Sequence, residues 1–465
     1  MKLTLQETFQ LQKEHSFTLR TTGSSQRTDK LRKLKSVILS FESDIFEALQ
    51  KDLGKADFES ALSEVYIVYS EIDHAIKNLH NWMKPQKVGA PLSSLFSKNK
   101  IYLEPKGACL IIAPWNYPFQ LLMSPLISAI AAGNCVMLKP SEVSPYTSNV
   151  LAKMITENFD EREVACFEGD NKIAGQLLDL PFDHIFFTGG TEIGKVVMTA
   201  AAKHLTSVTL ELGGKSPVII DETANLEKAA AKIMWGKFLN SGQTCIAPDY
   251  VLIKPAQQEE FLHFSKIALQ KHYYANGKLD ELSYGKIINK RHFDRLNSLL
   301  KDAVDNGSTI SLGGTSSPDK QIIEPTIVSN VRADSGLMRE EIFGPLLPVV
   351  NYGDLQDAIK FVNERPKPLA LYIFSDNESV VERLIKETSA GGTTVNDIAI
   401  HFANSALPFG GVGASGMGSS HGFYGFKAFS HERAVAFQSK IDFNRFAYPP
   451  YGEKNGLLKW IKKVI

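Results

Sequence analysis

Residues 241–248 read SGQTCIAP and carry one cysteine, Cys245, among small and polar neighbours between Gly242 and Pro248. The thiolate is the nucleophilic form of cysteine. A thiol of ordinary pKa, ~8.5, is only a few per cent ionised at neutral pH. A thiol in such a turn is either a nucleophile with a proton acceptor nearby or a small core residue. Cys109, Cys135 and Cys166 lie inside apolar runs, where the core role fits. Residues 209–217, TLELGGKSP, supply a candidate acceptor: Glu211 closes an apolar run just before Gly213 and Gly214. A partly buried carboxylate there can serve as a general base, and pairing with Lys215 is the alternative. In 111–119, IIAPWNYPF, Asn116 follows another apolar run. A neutral amide can hold an oxyanion without protonating it, although asparagine also caps helices and forms turns.

Two further segments suit a nucleotide. Residues 186–194, FFTGGTEIG, place Thr188, Gly189, Gly190 and Gly194 between a strand-like run and a helix start. Backbone N–H groups at a helix N-terminus bind phosphate, though the spacing is not G-x-G-x-x-G. Residues 138–142, LKPSE, offer Lys139 and Glu142 for ribose hydroxyls, or else form a surface turn around Pro140.

The elements that position these residues follow from the pattern. Apolar runs at 108–113, 135–139, 164–168, 184–188 and 207–212 alternate with helix-compatible stretches at 121–132, 147–157, 172–178 and 193–203. Buried strands alternating with helices predict a doubly wound parallel sheet, which presents ligands at the carboxyl ends of its strands. The first ~80 residues show a helical stripe through Leu31, Leu34, Ile38, Ile45 and Leu49. Residues 84–105, with three prolines, predict an extended excursion. A second α/β unit is expected from strands at 217–220, 250–254, 345–352 and 370–375 and a helix at 225–240, with 408–422 as a Gly-rich loop.

Composition bounds the partners. Lys plus Arg and Asp plus Glu are 51 each, for a net charge of zero over 465 residues. A neutral balance argues against nucleic acid, which calls for a basic face. No cysteine lies in a C-x-x-C pair, so no metal site is expected, and four thiols make no disulfide framework. The N-terminus lacks the apolar core of a signal peptide, and a reducing, cytoplasmic setting is expected.

Taken together, APWNYP, KPSE, FTGGTEIG, ELGGKSP, SGQTC, EEIFGP (340–345) and PFGGVGASGMG resemble the aldehyde dehydrogenase superfamily, in the family's order and across most of the chain. The segment HFANSALPFGGVGASGMGSSHG and the late YPPY resemble its class 3 branch, whose members tend to prefer hydrophobic aldehydes. The resemblance implies a Rossmann-like doubly wound sheet, a second α/β catalytic domain and a small oligomerisation arm. The corresponding division is 1–83 with 106–210 for NAD(P), 211–400 for catalysis, 84–105 with 430–450 for the arm, and 451–465 as a tail. It further implies Cys245 as the nucleophile, Asn116 and the Cys245 N–H on the oxyanion, and Glu211 activating water. Lys139, Glu142, Thr188, Gly189, Gly190 and Gly194 match cofactor contacts. Glu341 matches the nicotinamide-ribose ligand, with Phe343 beside it. Tyr117, Trp235 and Phe402 are expected to line an apolar substrate tunnel. Many relatives have Ser where this chain has Gly190, which removes a side-chain phosphate contact. Glu142 favours a 2′-hydroxyl, so NAD is expected, with NADP also accepted. A homodimer is expected. The alternative is an acyl-transferring relative, CoA-acylating or phosphorylating, and Glu211 argues against it because only hydrolysis calls for a water-activating base.

The final residues form a separate pattern. At helical spacing Leu457, Leu458, Trp460, Ile461, Val464 and Ile465 share one face, opposite Lys459, Lys462 and Lys463. Such a basic amphipathic segment docks on protein or makes a weak peripheral contact, through 456–465, with an anionic membrane.

Overall fold

A computed structural model describes residues 3–91, 96–440 and 448–454. Two sheets organise it. The first has six strands in the order Gly416–Met417, Ser207–Glu211, His184–Thr188, Ala108–Ile112, Cys135–Lys139, Val164–Cys166. All neighbours are parallel except the short outermost strand, which runs antiparallel to Ser207–Glu211. The chain starts in the middle at Ala108–Ile112, winds outward to one edge, then returns to the other side. The sheet therefore has a switch point between Ala108–Ile112 and His184–Thr188, where such folds bind ligands.

Its inner strands are mostly apolar because both faces are covered. Cys109 and Ile111 point to the helices Ser24–Leu53, Tyr66–Trp82 and Gln120–Ala132. Ala108, Leu110 and Ile112 pack with Phe9, Leu177 and Val197 on the other side. That two-residue alternation is the pleat of a strand. The helix Gln120–Ala132 is buried nearly all round and keeps Pro125 inside it.

The second sheet has seven strands in the order Thr309–Leu312, Thr326–Ser329, Leu346–Asn351, Tyr250–Ile253, Pro217–Ile220, Ala370–Phe374, Gly392–Val395. Only the first pair is antiparallel. The extended excursion becomes Gln86–Val88 and Lys98–Pro105. The latter pairs antiparallel, in unbroken register, with Ser430–Phe437, and this three-stranded sheet is largely exposed. One expectation needs correction: the Gly-rich 408–422 is not all loop. Gly416 and Met417 pair with Glu211 and Leu210, so the stretch closes the edge of the first sheet. Among the described residues no helix is long and apolar enough to cross a membrane. The amphipathic segment at 456–465 lies outside the described residues.

Candidate active site

The loop that carries Cys245 is held in an unusual backbone conformation. Asn240, Ser241 and Gly242 all have positive φ, at 51°, 53° and 74°. Two of these are not glycine, so the conformation costs energy and must be imposed by contacts. Those contacts are present. Ser241 Oγ donates to the Gly285 carbonyl at 2.7 Å, and Gln243 Nε2 donates to the carbonyls of Asn240 and Lys286 at 3.0 Å each. At Gly242 any side chain would collide with the Gly344 carbonyl. The backbone N–H of Asn240 donates to Glu59 at 2.9 Å.

Cys245 stands where two cavities meet. The larger, about 640 Å³, is lined by Phe58, Leu62, Tyr117, Trp235, Ile398 and Phe402, with Cys245 at its wall. The smaller, about 40 Å³, is lined by Cys245, Thr188, Glu211, Phe402, Ser420 and His421. Sequence could not show that Cys245 and Glu211 meet, and the fold brings both to this one small cavity. Burial, and then the Glu341 and Glu211 carboxylates, push the Cys245 thiol up to about 12. Burial likewise raises Glu211 to about 8, opposed by the hydrogen bond from Ser420. Ser420 Oγ donates to Glu211 Oε1 at 2.9 Å, while Oε2 is buried with no hydrogen-bond partner among the described residues. Lys215 is not the partner of Glu211; it pairs with Asp249.

Asn116 is buried, and its Nδ2 donates to the Gln243 carbonyl at 3.0 Å, two residues before Cys245. One of its two amide hydrogens is thereby committed, and the other remains. The Asn116 carbonyl accepts from Lys55 Nζ at 3.0 Å and Asn240 Nδ2 at 2.8 Å. Lys55 is the centre of a support that sequence reading missed. It pairs with Glu64 at 2.6 Å, both side chains fully buried, and lies 3.9 Å from the Tyr117 ring centroid. Glu64 accepts the backbone N–H groups of Phe119 and Gln120 at 3.1 and 2.9 Å, capping the helix that follows Asn116. Tyr117 shares a 2.7 Å hydrogen bond with Thr244. Nothing in the sequence marks Lys55 and Glu64, because charged residues in a helical stretch ordinarily face water. Ser420 and His421 were likewise hidden, as two polar residues in a Gly-rich run.

The nucleotide candidates gather at the carboxyl ends of the first sheet. Thr188 is the last residue of its strand, and Gly190 is the N-cap of the helix Thr191–Ala202. A Cβ on Gly190 would meet nothing within 4 Å, so the first-turn N–H groups face an open approach. Gly194 serves packing, since a Cβ there would press on Leu212. Gly189 is bounded by the Phe187 ring. Lys139 and Glu142 pair with each other at 2.5 Å at the neighbouring strand end, so as described each occupies the other. Glu341 lies against Gly213, where any side chain would collide with its carboxylate. Burial and Asp249 raise Glu341 to about 8. Phe343, at φ 50°, sets its ring edge-on to Trp115 at 5.4 Å. An open helix N-terminus, a lysine and carboxylates for ribose hydroxyls, and a carboxylate near the thiol fit a nicotinamide dinucleotide.

Residues 6–435 match the model of the aldehyde dehydrogenase family. The chain belongs to the aldehyde dehydrogenase family. This aldehyde dehydrogenase is 46% identical to 4,4'-diaponeurosporen-aldehyde dehydrogenase of Staphylococcus aureus, over 96% of this chain and 95% of that protein. It is 44% identical to a rat enzyme named aldehyde dehydrogenase, dimeric NADP-preferring, over 91% and 93% of the two chains. Among solved structures, Staphylococcus aureus AldH in a substrate-bound state superposes with a TM-score of 0.94 at 44% identity, over 99% of this chain and 100% of that one. The aldehyde dehydrogenase described here oxidises aldehydes to carboxylic acids with NAD, and NADP is also a cofactor of the family.

Proposed function

We propose that Cys245 carries the aldehyde through the reaction and that Glu211 hydrolyses what remains on it. The observation that supports this most is the position of Cys245 between an apolar cavity large enough for a substrate and a small one that holds a carboxylate. Glu211, across the small cavity, takes the thiol proton. The Cys245 sulfur then bonds to the aldehyde carbon, whose oxygen becomes an oxyanion held by the free Asn116 amide hydrogen and the Cys245 N–H. The tetrahedral carbon now expels hydride, for which the bound nicotinamide supplies the acceptor. Glu211 passes the thiol proton on to solvent, and the resulting thioester stays on Cys245 until a water, losing its proton to the regenerated Glu211 carboxylate, attacks the carbonyl carbon. The C–S bond breaks and the acid leaves.

Lys139, Glu142, Thr188 and the turn Gly189–Gly190 are assigned to the dinucleotide, and Glu341 with Phe343 to its nicotinamide end. Residues 1–83 with 106–210 form the dinucleotide-binding domain and 211–400 the catalytic domain. The apolar lining by Tyr117, Trp235 and Phe402 favours a hydrophobic aldehyde, in keeping with the name of the Staphylococcus aureus relative. We assign 84–105 and 430–450 to a homodimer arm, since their exposed sheet leaves a face to cover, and 456–465 to docking on protein, with weak contact with an anionic membrane as the alternative. Free thiols at all four cysteines suit the cytoplasm.

Glu211→Gln tests the chemistry. With a long-chain aldehyde and NAD, intact-mass measurement is expected to find an acyl group on Cys245 and a turnover lower by about 10²–10³. Ordinary steady-state turnover in that variant removes Glu211 from its role.

A further inference from the structure

The Glu211 carboxylate is held by a single hydrogen bond among the described residues, and its donor, Ser420, takes no part in the steps above. Ser420 and Glu211 are 8% and 5% exposed, and Ser420 Oγ donates to Glu211 Oε1 at 2.9 Å, while Oε2 has no described partner. The hydroxyl has a second acceptor in reach, the Phe409 carbonyl at 3.2 Å. That carbonyl already accepts the Ser420 N–H at 2.6 Å. The hydroxyl hydrogen is therefore better used on the nearer carboxylate oxygen, because hydrogen bonds to ionised acceptors are the stronger kind.

Ser420 is itself fixed by the chain around it. Phe409 and Ser420 form an antiparallel bridge and exchange two backbone hydrogen bonds. Between them the run folds back so closely that a Cβ on Gly410 would strike the Gly418 carbonyl. Gly418 has a φ of 83°, which only glycine adopts readily. The same run pairs Gly416 with Glu211 and Met417 with Leu210. Residues 409–420 thus grip Glu211 twice, at its backbone through the edge strand and at its carboxylate through the serine.

We propose that Ser420 is the positioning residue of the base: its hydroxyl holds one oxygen of the Glu211 carboxylate and leaves the other free to take the thiol and water protons. The inference rests on the role proposed for Glu211. A hydroxyl that donates to a carboxylate favours the charged form. Here it opposes the burial that raises Glu211 to about 8. The cavity beside the pair, about 40 Å³, exceeds the ~10–15 Å³ that one water needs. The other ionisable groups on this cavity are Cys245 of the catalytic loop and His421, the residue after Ser420. His401 of Ile400–Ala403 lies behind them against Phe409 and is held down to about 4, mainly by burial. The helix Gln120–Ala132 and the strand His184–Thr188 present no ionisable group to the cavity.

The test uses the full-length enzyme with NAD and one long-chain aldehyde, comparing the parent with Ser420→Ala, Ser420→Thr and Glu211→Gln. Losing the donor raises the pKa of Glu211, so the ascending limb of kcat should move to higher pH by about one unit in Ser420→Ala. At pH 7 turnover should fall about ten-fold, and raising the pH should restore it. Because Glu211 acts in both proton transfers, the limb for hydride formation in the first turnover should move in the same direction. Ser420→Thr keeps the hydroxyl and should return the limb toward that of the parent. An unmoved limb in Ser420→Ala overturns the inference. So does a turnover lowered by the same factor at every pH in both serine variants, which would mark a packing role. If Glu211→Gln traps acyl-enzyme while Ser420→Ala keeps the parental limb, only this inference falls. If Glu211→Gln turns over normally, the base assignment falls with it.

Discussion

The two cavities that meet at Cys245 differ in almost every physical respect. The larger is walled mostly by aromatic and aliphatic side chains, among them the half-exposed Trp235. The smaller, though partly apolar, concentrates Thr188, Glu211, Ser420 and His421 in a space sixteen times smaller. Hydrocarbon gains from the first by leaving water, at about 25 cal/mol per Å². The second has room for water but for little else, and burial raises its carboxylate to about 8. The sulfur thus divides the reaction by solvent: substrate is recognised on the dry side, and protons are handled on the polar side.

That division can be broken in graded ways. Cys245→Ala removes the atom common to both cavities and is expected to lower kcat by at least about 10⁴, with NAD binding retained in calorimetry. Measurable dehydrogenation in that variant would mean the chemistry lies elsewhere. Next in size is the wall the cavities share, which includes Gln120 and Leu121 and depends on Lys55 and Glu64. Lys55→Met leaves the Glu64 carboxylate buried and unpaired and should cost about 3–5 kcal/mol in denaturant unfolding. The double variant Lys55→Met with Glu64→Leu should recover much of this. If the single variant is as stable as the parent, the pair does not hold the wall. The smallest effect sharpens the contrast: Trp235→Ala should lower kcat/KM about ten-fold for long-chain or aromatic aldehydes and leave short-chain ones within about two-fold. Equal losses across such a panel, assayed with NAD and with NADP, would show that the large cavity does not sort substrates by length.

What was legible in the sequence follows the same physics. Strands buried on both faces are continuous apolar runs, so those of the first sheet stood out, and with them Cys245, Glu211 and Asn116 at their ends or in polar turns. Short strands such as Thr309–Leu312 and Gly392–Val395 lie at the edges of the second sheet and carry threonine, serine and glycine, so no period marked them. Gly416–Met417 was missed because glycine carries no pattern at all. Lys55 and Glu64 escaped for a deeper reason. A charge inside a protein is tolerated through a partner brought from elsewhere in the chain, and a linear reading sees one member at a time. The mutual pairing of Lys139 and Glu142 was equally out of reach, because it depends on rotamers rather than residue types.

The support beneath the catalytic loop has a consequence for how the enzyme comes into being. Residues 55–64, 116–120 and 240–245 interlock through hydrogen bonds, and the donor to Glu211 comes from position 420. Contacts so distant along the chain form late in folding. A nascent polypeptide that already contains the thiol still lacks the donor to its base, so the thiol and the oriented carboxylate are not assembled together until position 420 has been made.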